Sequence, residues 1–352
     1  MEAHSSKKEA ESCDVVAEYA RRCAPSPERL AALAHVAETY PPQATRRYLS
    51  LVDWSRPEGD PILAQCLPDS RELDDAGLPE DGLGELPQSP LPRVVRRYED
   101  RALLITTDRC FMRCRFCFRK RLWRKGASKG GEIGKDELDA FCEYLRKTPE
   151  LKDVLLSGGD PLTLSDAKLS SIIEAVLATG GVDTIRVCTR APAVEPSRVT
   201  EKLAKTLGGY PGVWFVTHFN HPREFDREAA EACGRLVSNG VPILNQTVLL
   251  KGVNDDAKTL SSLFRTLAKH RVRPHYLFHA DPVRGTAHFA TGAEKGLEIM
   301  KSLRGTLSSI ATPCFALDLP EGGGKIPLLP DYSDGQGSYL ALDGRLLKHP
   351  LA

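Results

Sequence analysis

The chain has 352 residues, of which 41% are hydrophobic and 27% charged, with a formal net charge of +1. That mixture suits a globular protein with a sizeable core, and the balanced charge excludes a global pull toward nucleic acid or an anionic membrane. No apolar run reaches the roughly eighteen residues of a membrane span, and the opening "MEAHSSKKEAESCDVV" lacks the basic-then-apolar layout of a secretion signal, so a cytoplasmic protein is expected.

Residues 1–56 are rich in Ala, Glu and Arg and carry helical spacing, as in "ERLAALAHVAETY". Residues 57–95 hold much of the proline and acid and read as an irregular connection wrapped over the surface. From residue 101 short β-branched or apolar runs alternate with amphipathic stretches. The runs are "ALLIT" (102–106), "DVLLS" (153–157), "TIRVCT" (184–189), "VWFVT" (213–217), "PILNQTVLL" (242–250) and "PHYLFH" (274–279). Six strand-then-helix units predict an α/β fold, a partial (β/α)6 barrel with an N-terminal helical extension. No GxGxxG follows the first strand, which argues against an open dinucleotide-binding sheet. The expected organisation is an extension over 1–95, a barrel over 96–332 and a short tail over 333–352. Chemistry in such barrels gathers at the carboxyl ends of the strands.

Ten cysteines fit a compartment where thiols stay reduced. Cys142 and Cys233, in helix-like stretches, read as small buried apolar groups. "DRCFMRCRFCFRKR" (108–121) differs: it packs Cys110, Cys114 and Cys117 into eight positions among six basic residues. Four thiolates ordinarily close a four-iron cluster. A C-x3-C-x2-C loop gives three and leaves one iron open to a non-protein ligand. A zinc site completed from afar is the alternative, but zinc loops usually pair two CxxC-type elements and only one is present.

This loop after the first barrel strand resembles the radical S-adenosylmethionine superfamily, in which S-adenosylmethionine chelates the open iron and is cleaved to an adenosyl radical. "LLSGGDPL" (155–162) agrees, one strand downstream: Ser157, Gly158 and Gly159 would let backbone approach the cofactor's methionyl part, and Asp160 would offer a carboxylate to its amino group. "LDLPEGGGKIPLLPDY" (317–332) sets three glycines before Lys325. Alone this is either a surface turn with a solvated lysine or an unhindered lysine able to form an imine with pyridoxal phosphate.

Together the cysteine loop and this lysine resemble the lysine 2,3-aminomutase family over residues 57 to 332, with "YEDRALLITTDRC", "THFNHPREF", "NQTVLLKGVNDD", "RVRPHYLFHAD" and "GTAHF" also agreeing. The resemblance implies an isomerase with a [4Fe-4S] cluster, S-adenosylmethionine and pyridoxal 5'-phosphate. By position, Lys325 would carry the pyridoxal phosphate, held also by Arg97, Arg101, Arg190 and Gln246; a phosphate dianion suits several guanidinium forks. Arg113 and Arg121 read as solvated surface charges. Arg119 would grip the substrate's α-carboxylate, and Asp281 and Asp318 its terminal ammonium, since a buried cation is costly unless paired. That predicts L-lysine conversion to β-lysine. Arg284, close to Asp281, leaves open another amino acid such as arginine or glutamate, and short relatives that make β-lysine for elongation factor P leave the pathway open. Longer family members bind zinc through a cysteine after "GVND" and C-terminal cysteines; Asp256 and a cysteine-free tail stand here, so no zinc is expected. The expected partners are a small amino acid, a one-electron donor such as flavodoxin or ferredoxin, and another copy of the chain. No basic stripe interleaved with aromatics suggests nucleic acid.

Overall fold

The computed structural model describes residues 12–74, 77–123, 131–342 and 344–348. Most of the opening segment "MEAHSSKKEAESCDVV" lies outside them. Helices α1 (Val15–Cys23) and α2 (Pro27–Thr39) open the described chain, and Asp14 and Ser26 cap them by accepting from backbone N–H groups.

Seven strands then run parallel: β1 (Arg101–Thr107), β2 (Asp153–Gly158), β3 (Thr184–Cys188), β4 (Val213–Thr217), β5 (Ile243–Leu249), β6 (Val272–His279) and β7 (Cys314–Leu319). Each pairs with the next in chain order, and among the described residues the two sheet edges do not pair, so the barrel is open. One edge carries a two-residue antiparallel strand, Val94–Val95; the other carries β8 (Gly324–Pro327), which folds back antiparallel on β7. The apolar runs predict six parallel strands, and all six are present. The structure adds a seventh, "CFALDL", which joins the barrel and forms a hairpin with the segment bearing Lys325.

The connecting helices are α3 (Lys135–Lys147), α4 (Asp166–Leu177), α5 (Glu201–Gly208), α6 (Arg227–Ser238), α7 (Ala257–Lys269) and α8 (Ala293–Thr306). Ser165, Thr200, Asp226 and Asp256 cap four of them. Ile172, Val176, Leu203, Leu236, Phe264 and Leu267 are fully buried in one core with the strand residues Val154, Ile185, Phe215 and Ile243. Cys142 and Cys233 are buried in α3 and α6, as their apolar reading requires.

Strand alternation fixes what faces inward. In β5, Ile243, Asn245, Thr247 and Leu249 are buried, and Leu244, Gln246 and Val248 are half-buried. In β3, Ile185 and Val187 are buried beneath helices, whereas Thr184, Arg186 and Cys188 are half-buried. The second set in each strand turns to the barrel interior, where the cavity lies.

Residues 57–95 are irregular, as expected, but they are not a surface wrapping. Ile62, Leu63, Cys66 and Leu83 are buried, and so are Glu72 and Glu85. No helix among the described residues is long and apolar enough to cross a membrane.

Candidate active site

The barrel interior holds a cavity of about 360 Å³ at the carboxyl ends of the strands. Cys110, Cys114 and Cys117 line it from the loop after β1; Ser157, Gly158, Gly159 and Asp160 from the end of β2; Asp281 from beyond β6; Asp318 from β7; and Lys325 from β8. Arg97, Arg101, Arg119, Arg190 and Gln246 line it too, so every candidate residue from the sequence meets in this one space.

Glycine is compulsory at the end of β2. A Cβ on Gly159 would stand 2.1 Å from the Arg109 carbonyl oxygen, and one on Gly158, at φ +116, 2.5 Å from that of Thr107. The turn is therefore pressed against the start of the cysteine loop, and Gly159 N and Asp160 N donate to Thr107 O and Arg109 O at 2.7 Å each. The small residues thus bring two loops of the chain into contact at the cavity wall. Asp160 is also otherwise engaged. Its carboxylate accepts from Leu162 N at 2.9 Å, Thr189 Oγ1 at 2.6 Å and Arg190 N at 2.9 Å, so it braces the ends of β2 and β3 together.

The three thiols are crowded. Burial, then the neighbouring thiols, push Cys117 up to about 12 and raise Cys110 well above the ordinary thiol value. Three clustered sulfurs facing the cavity suit a polycationic iron cluster, which ionises its ligand thiols outright. Arg190 belongs to this end of the cavity. Its Nη1 lies 2.8 Å from Cys114 Sγ, its Nη2 donates to Gln65 Oε1 at 2.6 Å and Glu224 Oε1 at 2.7 Å, and its Nε donates to His218 O at 3.3 Å. The fork is engaged at the cysteine end of the cavity. Sequence reasoning missed Arg186, four residues earlier. It lines the cavity from β3, bonds Asp153 Oδ1 at 3.0 Å, and shares Tyr276 as an electrostatic neighbour with Arg101. The alternation of "TIRVC" signals it, because an arginine between two core positions faces the interior.

Lys325 stands opposite Asp318 in the β7–β8 hairpin. This cross-strand pairing is the physical reason for their seven-residue separation, and it makes the lysine part of an ordered edge strand, not a loose strip. Its Nζ lies 3.3 Å from Asp318 Oδ2, and its backbone N donates to Tyr98 Oη at 2.9 Å. Arg97 Nη2 donates to Asp318 Oδ1 at 2.8 Å, but the buried Arg97 Nε has no partner among the described residues. Arg101 stacks on Tyr98, 4.2 Å from the ring centre. An orphaned guanidinium donor beside a hairpin lysine, flanked by Arg101, Arg186 and Tyr98, fits an anionic aldehyde coenzyme. Burial, then the Asp318 charge, push Asp281 up to about 7.

The basic wrap of the cysteine loop is met by acids from the extension. Glu72 pairs with Arg115 and, at 2.6 Å, with Lys120; both cations are fully buried. Glu85 bonds Arg119 Nη2 at 2.6 Å and Arg121 Nη2 at 2.9 Å. Against the effect of burial, these two arginines hold Glu85 at about 2. Arg119 keeps Nη1 on Ser157 Oγ at 3.1 Å. Arg121 is thus paired and nearly buried, and Arg113 donates to Pro41 O at 3.1 Å, so neither is the solvated charge read from the sequence. Arg284, near Asp281 in sequence, pairs with Glu80 at 3.3 Å.

The Radical SAM superfamily model matches residues 104–263. L-lysine 2,3-aminomutase of Fusobacterium nucleatum is 42% identical over 316 residues, 89% of this chain and 73% of that protein. L-lysine 2,3-aminomutase of Acetoanaerobium sticklandii is 42% identical over 308 residues, 87% and 73% of the two chains. Glutamate 2,3-aminomutase of Clostridioides difficile is 40% identical over 308 residues, 86% and 71%. Likeness this extensive, joined to the sulfur triad and the hairpin lysine on one cavity, places the chain in the L-lysine 2,3-aminomutase family of radical S-adenosylmethionine isomerases.

Proposed function

We propose that the protein moves the α-amino group of L-lysine to the β-carbon to give β-lysine. Cys110, Cys114 and Cys117 would hold a [4Fe-4S] cluster whose open iron takes S-adenosylmethionine, and Lys325 would hold pyridoxal 5'-phosphate with Arg97, Arg101, Arg186 and Gln246. Bound, these groups supply an adenosyl radical and a carbonyl for the migrating nitrogen. The chain's share is placement. Arg119 receives the substrate carboxylate on the side not taken by Glu85, and the enclosed barrel keeps water from the radicals. A flavodoxin or ferredoxin would supply the electron, in a reducing cytoplasm that suits ten free cysteines.

One observation carries the choice of lysine: Asp281 and Asp318 are near neighbours on the cavity, and the local cations Lys325 and Arg97 do not bring Asp281 back to its ordinary acidity. A substrate ammonium supplies the missing charge, whereas a neutral side chain leaves Asp281 without a counter-ion and a carboxylate adds a third negative charge. This weighs against the glutamate activity of the Clostridioides relative. Anaerobic incubation of reconstituted protein with L-lysine, L-arginine, L-ornithine and L-glutamate tests the reading. β-Lysine as the dominant product supports it, and faster turnover of glutamate than of lysine overturns it.

A further inference from the structure

Lys120 lies three residues beyond Cys117 and next to Arg119, yet its side chain is only 1% exposed. A lysine ammonium has three N–H donors and no acceptor. Here each donor has a partner: Glu72 Oε2 at 2.6 Å, Arg115 O at 3.0 Å and Gly285 O at 2.6 Å. The three acceptors belong to three separate pieces of chain. Arg115 lies inside the cysteine loop, Glu72 in the extension, and Gly285 in the turn that begins at Asp281.

That turn is short and internally tied. Val283 N donates to Asp281 O at 2.9 Å, and Thr286 Oγ1 donates to Val283 O at 2.7 Å. Gly285 has φ +83, and a Cβ there would stand 3.1 Å from Lys120 Nζ and 3.2 Å from the Tyr40 ring. The turn therefore rests on the ammonium with no room for a side chain between them. A move of the cysteine loop pulls the same atom that holds the Asp281 turn.

We propose that Lys120 is a positioning residue that sets the separation between the iron-binding loop and the ammonium-selecting turn. This rests on the reading of the cavity as an aminomutase site. A radical reaction needs the hydrogen to be removed and the carbon that generates the radical held in near-contact, and a displacement of about 1 Å costs on the order of a hundredfold. With the tie cut, one electron from dithionite would still cleave S-adenosylmethionine to methionine and an adenosyl radical, but the substrate stands out of register, so a second electron from dithionite and a solvent proton quench that radical and 5'-deoxyadenosine is released without an amino shift.

The test compares Lys120→Met with the wild-type protein, both reconstituted with iron and sulfide. The measurements are iron content, the electron paramagnetic resonance spectrum of the reduced cluster, KM for lysine, and 5'-deoxyadenosine released per β-lysine formed. The expected result is wild-type iron content and spectrum, KM raised on the order of tenfold, and a ratio of 5'-deoxyadenosine to β-lysine raised several-fold. Unchanged KM and ratio overturn the proposal, as does loss of iron, which would make Lys120 an anchor of the cysteine loop alone. Should Lys120→Met not fold, Gly285→Ala pushes the same turn off the ammonium and is expected to give the same split. Hydrogen exchange over residues 281–289 of the metal-free protein gives a readout independent of turnover, with faster exchange expected in either variant and wild-type exchange refuting the tie. If wild-type protein makes no β-amino acid from lysine, the proposed function fails while this exchange measurement still judges Lys120.

Discussion

Asp281 gives the sharpest test of how the cavity selects its substrate. Its carboxyl rises from 3.8 to about 7 because it is buried and faces Asp318. At about 1.4 kcal/mol for each tenfold, ionising it in the empty site costs roughly 4 kcal/mol. The folded state thus holds a proton more tightly than the unfolded chain does. This contribution to the folded state is full below about pH 4, falls steadily as pH rises from 4 to 7, and is gone above 7. Docking of a substrate ammonium requires the opposite state, the bare carboxylate. The value of kcat/KM for lysine is therefore expected to rise about tenfold for each pH step of one up to about 7 and then level. Asp281→Asn removes both effects. It should raise the thermal stability of the ligand-free protein at pH 8 and lower kcat/KM for lysine by about a hundredfold or more, the usual cost of leaving a buried charge unpaired. Initial rates of β-lysine formation from pH 6 to 8, with calorimetric melting of both proteins, measure the two. A flat acid limb in the wild type, or a variant that turns over lysine normally, would refute the argument.

Lys325→Ala should leave the fold intact, because β8 is an edge strand, and abolish the pyridoxyl adduct trapped by borohydride; mass spectrometry of the digested protein locates that adduct in the wild type. Glu85→Gln strips the shared counter-ion from Arg119 and Arg121 and is expected to cost about 3 kcal/mol of stability, read as a lower melting temperature. Gly159→Ala forces a methyl group against the Arg109 carbonyl, so iron incorporation should fall in parallel with thermal stability.

The parts of the molecule legible in the sequence are those encoded over a few residues. The cysteine spacing, the SGGD turn and the glycines before Lys325 each announce a loop at a strand end, and strand ends of a parallel barrel converge on one mouth. The parts that stayed hidden depend on partners far along the chain. Glu72 and Glu85 sit in a proline-rich stretch whose composition suggests exposure, and nothing local shows that Arg115, Lys120, Arg119 and Arg121 lie over them. Arg113 and Arg121 looked solvated for the same reason. Arg186 and Arg190 are four residues apart at one strand end, and choosing between them needs the point where β3 stops: Arg186 is still inside the strand and faces inward, whereas Arg190 has turned toward the cysteines. The seventh strand is followed directly by its hairpin partner and not by a helix, so it falls outside the strand-then-helix rhythm that marks the other six.

The pairing of Asp318 with Lys325 across a hairpin has a corollary for how this site tolerates length change. Side chains of a strand alternate between its two sides, so removing a single glycine from the turn would slide β8 by one place and deliver Ile326 to the cavity while the amine swung outward. Because β8 borders only one neighbour, the rest of the barrel would scarcely register the slip. Such a deletion would fold, melt and bind iron like its parent, and be unable to hold its coenzyme covalently.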